Sequence, residues 1–79
     1  MVVDPHLPER VMSDRSLYAL NGQLAYYEYG KYLYSAITHH CVYFEQDGYV
    51  YVLGESDPVY VEHDNCLYAM NGQVSYYYS

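Results

Sequence analysis

The chain reads as an all-β protein, an antiparallel meander whose sheet curls into a barrel-like roll or folds into two packed sheets. Three observations predict this. The segment from Ser16 to Tyr27, SLYALNGQLAYY, returns as CLYAMNGQVSYY from Cys66 to Tyr77, an offset of 50 residues. Each copy centres on Asn-Gly, the strongest short-range hairpin signal, because a type I′ turn needs positive φ at both central residues. The chain also has 14 Tyr, one Phe and no Trp, and Tyr suits half-buried strands that pack a ring and keep a hydroxyl wet.

Taking the elements in order, Met1 to Pro8, with prolines at 5 and 8, reads as an extended tail, and residues 9–79 as one domain. A middle copy, Cys41 to Leu53, aligns with the other two at half the offset and has one extra residue before Asp47-Gly48. The repeat is then about 25 residues long, with three units of three strands. The hairpins turn at Asn21-Gly22, Asp47-Gly48 and Asn71-Gly72, and an extended run precedes each: Arg10 to Asp14, Lys31 to Thr38 and Pro58 to His63. With two-residue turns, one face carries Leu17, Ala19, Leu24 and Tyr26 in the first unit and Leu67, Ala69, Val74 and Tyr76 in the third. A three-residue turn Gln46-Asp47-Gly48 gives the middle unit the matching face Val42, Phe44, Val50 and Val52. That face is the expected core. Tyr18, Tyr43, Tyr68, Tyr27, Tyr51 and Tyr77 are expected opposite it. A sheet built this way has an open edge, through which a monomer could pair weakly as a dimer.

No stretch reaches the ~18 apolar residues of a membrane span, and the N-terminal residues do not read as a signal peptide. A cytoplasmic protein is expected, with Cys41 and Cys66 as reduced thiols.

Charge narrows the function. The formal net charge is −7, and from Tyr32 onward there are six carboxylates and no Lys or Arg. That disfavours direct binding to nucleic acid, whose phosphates seek positive charge, and favours a basic protein surface as partner. Glu45 and Asp47, Glu55 and Asp57, and Glu62 and Asp64 form i, i+2 pairs. On an extended strand such pairs share a side about 7 Å apart, roughly twice the axial step between phosphates on one DNA strand. They are candidate partner-binding residues by phosphate mimicry, with Tyr49, Tyr51 and Tyr60 supplying packing. A solvated, aggregation-resistant edge would show the same residues. A glycosidase needs two carboxylates across a cleft, which a short meander does not offer, and no catalytic triad order is present, so no enzymatic activity is expected. His39-His40-Cys41 and His63-x-x-Cys66 contain zinc-ligand types but no Cys-x-x-Cys, so no metal or other cofactor is expected.

In whole-chain profile, short and strongly acidic, the sequence resembles the small acidic inhibitors encoded by phages and mobile elements, among them DNA mimics and anti-CRISPR proteins. The resemblance implies an inhibitor that occupies the basic DNA-binding surface of a nucleic-acid-binding complex such as a CRISPR effector. It carries no motif from which a site residue transfers. Asn-Gly-Gln-x-x-Tyr-Tyr is also similar to the aromatic hairpin repeats of bacterial cell-wall-binding modules, which implies an alternative, a glycan-binding module on the Tyr face. A third reading is a piece of a larger repeat protein.

Overall fold

The structure, a computed structural model, describes residues 15–79. The expected tail and the strand expected at Arg10 to Asp14 lie outside the described residues. Eight antiparallel strands follow in meander order: β1 (Arg15–Ala19), β2 (Leu24–Tyr29), β3 (Tyr32–Ser35), β4 (Cys41–Gln46), β5 (Tyr49–Val52), β6 (Pro58–His63), β7 (Cys66–Ala69) and β8 (Val74–Tyr78). The all-β, barrel-like reading holds in its closed form. β8 pairs with β1 through Leu17↔Tyr78, Tyr18↔Tyr77 and Ala19↔Tyr76, so the ring has no free edge. The open edge expected from the repeats is therefore absent: closure gives every described strand two bonded neighbours.

The repeat that builds the barrel is shorter than 25 residues. Leu17, Leu33, Val50 and Leu67 stand 16, 17 and 17 residues apart, each inside a similar short strand: SLYA, YLYS, YVYV and CLYA. In all four the ladder slips by one residue just after this position. Such bulges bend a strand and raise its twist, which an eight-stranded ring needs in order to close. The unit is thus a two-stranded hairpin used four times, and the 50-residue offset spans three units, not two.

Two kinds of connection alternate. Between units the links are two-residue turns, Gly30-Lys31, Asp47-Gly48 and Asp64-Asn65. Asp47 and Gly48 have φ of 54° and 83°, and Asp64 and Asn65 have 52° and 66°, the positive pair of a type I′ turn. Within the first and last units the loops hold three residues. The Gly22 N–H donates to Ala19 O at 2.9 Å and the Ala19 N–H to Gln23 O at 2.8 Å, with Gly22 at φ 91°. Met70-Asn71-Gly72 repeats this pattern. The two turn types are therefore the reverse of the expected ones. A two-residue turn at Asp47-Gly48 pairs Gln46 with Tyr49 and Glu45 with Val50. That one-residue difference turns β4 over. Tyr43 points inward and Phe44 outward, where it stacks on Tyr51 at 5.0 Å.

The interior is layered. Leu17, Leu33, Val50 and Leu67 are each no more than 1% exposed and form the central layer with Tyr78. Each of these four faces a tyrosine across its own hairpin: Leu17↔Tyr26, Leu33↔Tyr43, Val50↔Tyr60 and Leu67↔Tyr76. The four tyrosines close a ring, with centroid separations of 5.3, 5.8, 5.8 and 5.6 Å and interplanar angles of 73–81°. Edge-to-face contact of this kind places each ring's positive edge on its neighbour's negative face. Burial raises the Tyr26, Tyr43 and Tyr60 hydroxyls above the ordinary value, Tyr43 to about 12. Of the twelve residues expected to form the core face, Leu17, Tyr26, Val50, Leu67 and Tyr76 belong to this interior.

Candidate functional site

The barrel has two unlike ends, and antiparallel order assigns every loop to one of them. The start of β1, the end of β8 and the three two-residue turns lie at one end, called here the mouth. The loops after β1, β3, β5 and β7 lie at the other, called the rim.

At the mouth the repeat places one more inward residue per unit: Glu28, Glu45, Glu62 and, in the last unit, Tyr78. Their cross-strand partners are Leu33, Val50, Leu67 and Leu17. Arg15, opposite Glu28 on β1, lies among them. Its Nε and Nη2 donate to Glu28 at 2.7 and 2.6 Å, and its Nη1 and Nη2 donate to Glu62 at 3.0 and 3.3 Å. Its Nη1 also reaches Asn65 Oδ1 at 3.3 Å. The guanidinium carbon sits 3.7 Å over the centre of the Tyr78 ring, and the Tyr78 hydroxyl donates to Glu45 Oε2. Bidentate pairing of this kind suits the planar fork of arginine.

The charges follow from this geometry. Burial alone would raise Glu28, but the Arg15 bond and a hydrogen bond from Glu45 take it below the ordinary carboxylate range. Burial and the facing Glu28 carboxylate push Glu45 up to about 8. Like charges this close do not both ionise, so the proton rests on Glu45. Burial, then the Glu45 bond, lifts the Tyr78 hydroxyl well above its usual value. An acid–base pair of this sort is the raw material of proton transfer. Here Arg15 and Tyr78 occupy the space beside it, and every carboxylate of the network is already engaged.

The sequence-derived site residues divide between inside and outside. Glu45, Glu62 and Tyr60 point into the barrel, so they do not belong to an outward row. Asp47 and Asp64 are exposed on mouth turns, and Glu55 and Asp57 are exposed in the β5–β6 loop at the rim. Tyr49 is 41% exposed and Tyr51 stacks on Phe44 outside. The i, i+2 pairs thus do not form one phosphate-like line. Of Arg15 and Lys31, the two Lys or Arg among the described residues, Arg15 is committed to the mouth. The exposed charge is therefore mostly negative.

Sequence reasoning missed Arg15 and Glu28. The signal was available: Glu28, Glu45 and Glu62 recur at 17-residue spacing. It also missed the rim, where Leu20, Ile37, Leu53 and Met70 are 60%, 88%, 43% and 55% exposed, one in each of the four loops.

Cys41 and Cys66 are free and half-buried. His39-His40-Cys41 lies at the rim and His63 with Cys66 at the mouth, so the two clusters do not meet. Among the described residues no group of His, Cys, Asp or Glu is placed to hold a metal ion. No helix of the described residues is long and apolar enough to cross a membrane. No family model, curated protein or solved structure matches the chain.

Proposed function

We propose that this chain is a non-enzymatic acidic binding protein that occupies the basic surface of a nucleic-acid-binding complex in the cytoplasm of a host cell. A CRISPR effector is one such complex. The observation that carries the reading is the partition of charge. Arg15 is drawn into the mouth, while Asp47, Glu55, Asp57 and Asp64 stay exposed. What the barrel presents outward therefore complements a basic partner and repels nucleic acid. The filled interior supports a binding role over catalysis, because layered side chains occupy the space a substrate would need. Closure supports binding through side chains, since among the described strands no edge is free to pair with a partner. Tyr49 and Tyr51 lie outside and supply apolar contact; Glu45, Glu62 and Tyr60 have inward, structural places.

The test is competition. Immobilised protein is incubated with a lysate of the host cell, and bound proteins are eluted with duplex DNA. DNA-eluted, salt-sensitive capture of a nucleic-acid-binding protein is expected. Retention that DNA does not reverse overturns the reading. The stacked outer pairs Tyr18–Tyr77 and Phe44–Tyr51 favour the second reading, a glycan platform. It predicts retention on cell-wall polysaccharide that responds little to salt.

A further inference from the structure

We propose that the five-residue network at the mouth is a proton-operated latch on the seam where β8 closes onto β1: shut while Glu45 holds a proton, and loosened when it gives the proton up. Among the described strands the seam is the one pairing that joins elements distant in sequence. Its last rungs are reciprocal backbone bonds, Ser79 N–H to Ser16 O at 2.8 Å and Ser16 N–H to Ser79 O at 3.1 Å. Each seam strand contributes one member of the network, Arg15 from β1 and Tyr78 from β8, and the two are stacked.

The charge count makes the latch conditional. The mouth holds three carboxylates and one guanidinium, which bonds two of them. Arg15 directs its donors at Glu28 and Glu62, which leaves Glu45 with the Tyr78 hydroxyl and with Glu28. A protonated Glu45 donates to the Glu28 carboxylate and accepts from Tyr78, so it bridges β2, β4 and β8 at once. When its proton passes to solvent base, two carboxylates face each other in a half-buried site with no second cation. The Glu45–Glu28 bond is lost, and repulsion pushes on the strands that hold Tyr78 in place.

The groups facing Glu45 are few. Arg15 on β1, Glu28 on β2, Glu62 on β6 and Tyr78 on β8 carry charge or titrate. β3, β5 and β7 offer Leu33, Val50 and Leu67, which do neither. Lys31 supplies only its backbone carbonyl, which accepts from the Glu45 N–H at 2.7 Å. Because Glu45 is raised in the folded state to about 8 from an ordinary 4.5, its contribution is fully present below the ordinary value. It is lost as pH climbs through the folded one.

The experiment follows backbone amide exchange at Ser16 and Ser79 from about pH 6 to about pH 9, corrected for intrinsic rate. Wild-type protection at these two amides is expected to fall about tenfold or more, the factor that one unit of pKa difference carries. Glu45→Gln keeps the bond to Tyr78 without the titration, so its protection should stay level. In parallel, the Glu45 side-chain carboxyl carbon is followed by NMR in the wild-type chain, which decides the matter even where the variant fails to fold. A carboxyl that titrates well above the ordinary range is required. Level wild-type protection, equal pH sensitivity in Glu45→Gln, or a Glu45 that titrates as an ordinary carboxylate would each overturn the latch.

Discussion

The mouth and the rim are built from the same four hairpin units, yet they solve opposite problems. At the mouth, short turns bring the strands close, and the inward residues are Glu28, Glu45, Glu62 and Tyr78 with Arg15 between them. Arg15, the three glutamates and Tyr78 are all engaged there, and among the described residues no buried side-chain nitrogen or oxygen lacks a partner. At the rim the loops are longer and satisfy their own backbone. The Ser35 hydroxyl accepts from the Ile37 and Thr38 N–H groups at 3.1 and 3.2 Å, and Asn21 and Asn71 Oδ1 each accept from the Gln two residues on at 3.0 Å. In these loops Leu20, Ile37, Leu53 and Met70 face water. The contrast teaches that one end of the barrel fixes the fold through side chains and the other through backbone. Substitutions should respond accordingly.

The largest difference is expected from Arg15→Met. It leaves Glu28, 5% exposed, without its cation. Breaking a buried pair on one side costs about 3–5 kcal/mol, and the partial exposure of Arg15 favours the lower end of that range. Urea denaturation of wild type and variant measures it. A loss below about 1 kcal/mol, the worth of a surface pair, would place the mouth and the rim on the same footing.

A middle-sized effect is expected at the mouth turns. Gly48 has φ 83° and open space around its missing Cβ, so only backbone conformation opposes a side chain. Gly48→Val should cost about 1–3 kcal/mol. Gly48→Asn should cost much less, because Asn65 stands at the equivalent place in the last such turn with φ 66° and Asn tolerates that region. Thermal melts of the two variants separate conformational strain from lost packing.

The smallest effect is expected at the rim. Leu20→Ser and Met70→Ser remove exposed apolar surface and should each change stability by less than about 0.5 kcal/mol. A larger loss in chemical denaturation would mean that the rim residues pack on something in the folded chain.

How far the sequence could be read follows the same division. Hairpin positions were legible because Asn-Gly and Asp-Gly mark turns chemically, and barrel-like curling followed from an apolar face that must be covered. The repeat period was not. Leu17 and Leu67 lie in copies so alike that they draw attention to the 50-residue offset, while the intervening YLYS and YVYV keep only the apolar residue and its tyrosine. Turn length was equally hidden, since Asn-Gly serves a three-residue loop at Gly22 and Asp-Gly a two-residue one at Gly48. One residue of loop decides the face of a whole strand, and so Tyr43 and Glu45 went inside while Phe44 went out. Arg15 was legible only as a charge. Nothing local says that it pairs with Glu62, 47 positions away.

The account rests on outward carboxylates serving a partner and inward ones serving the barrel. The most direct test neutralises each set and measures association with the DNA-eluted partner as salt is varied. Asp47→Asn, Glu55→Gln, Asp57→Asn and Asp64→Asn combined should leave the strand content unchanged, slow association and flatten its salt dependence. Glu45→Gln should bind as wild type does at neutral pH. A folded quadruple variant that associates at the wild-type rate would contradict the account, as would a Glu45→Gln chain that is folded and loses binding to the same degree.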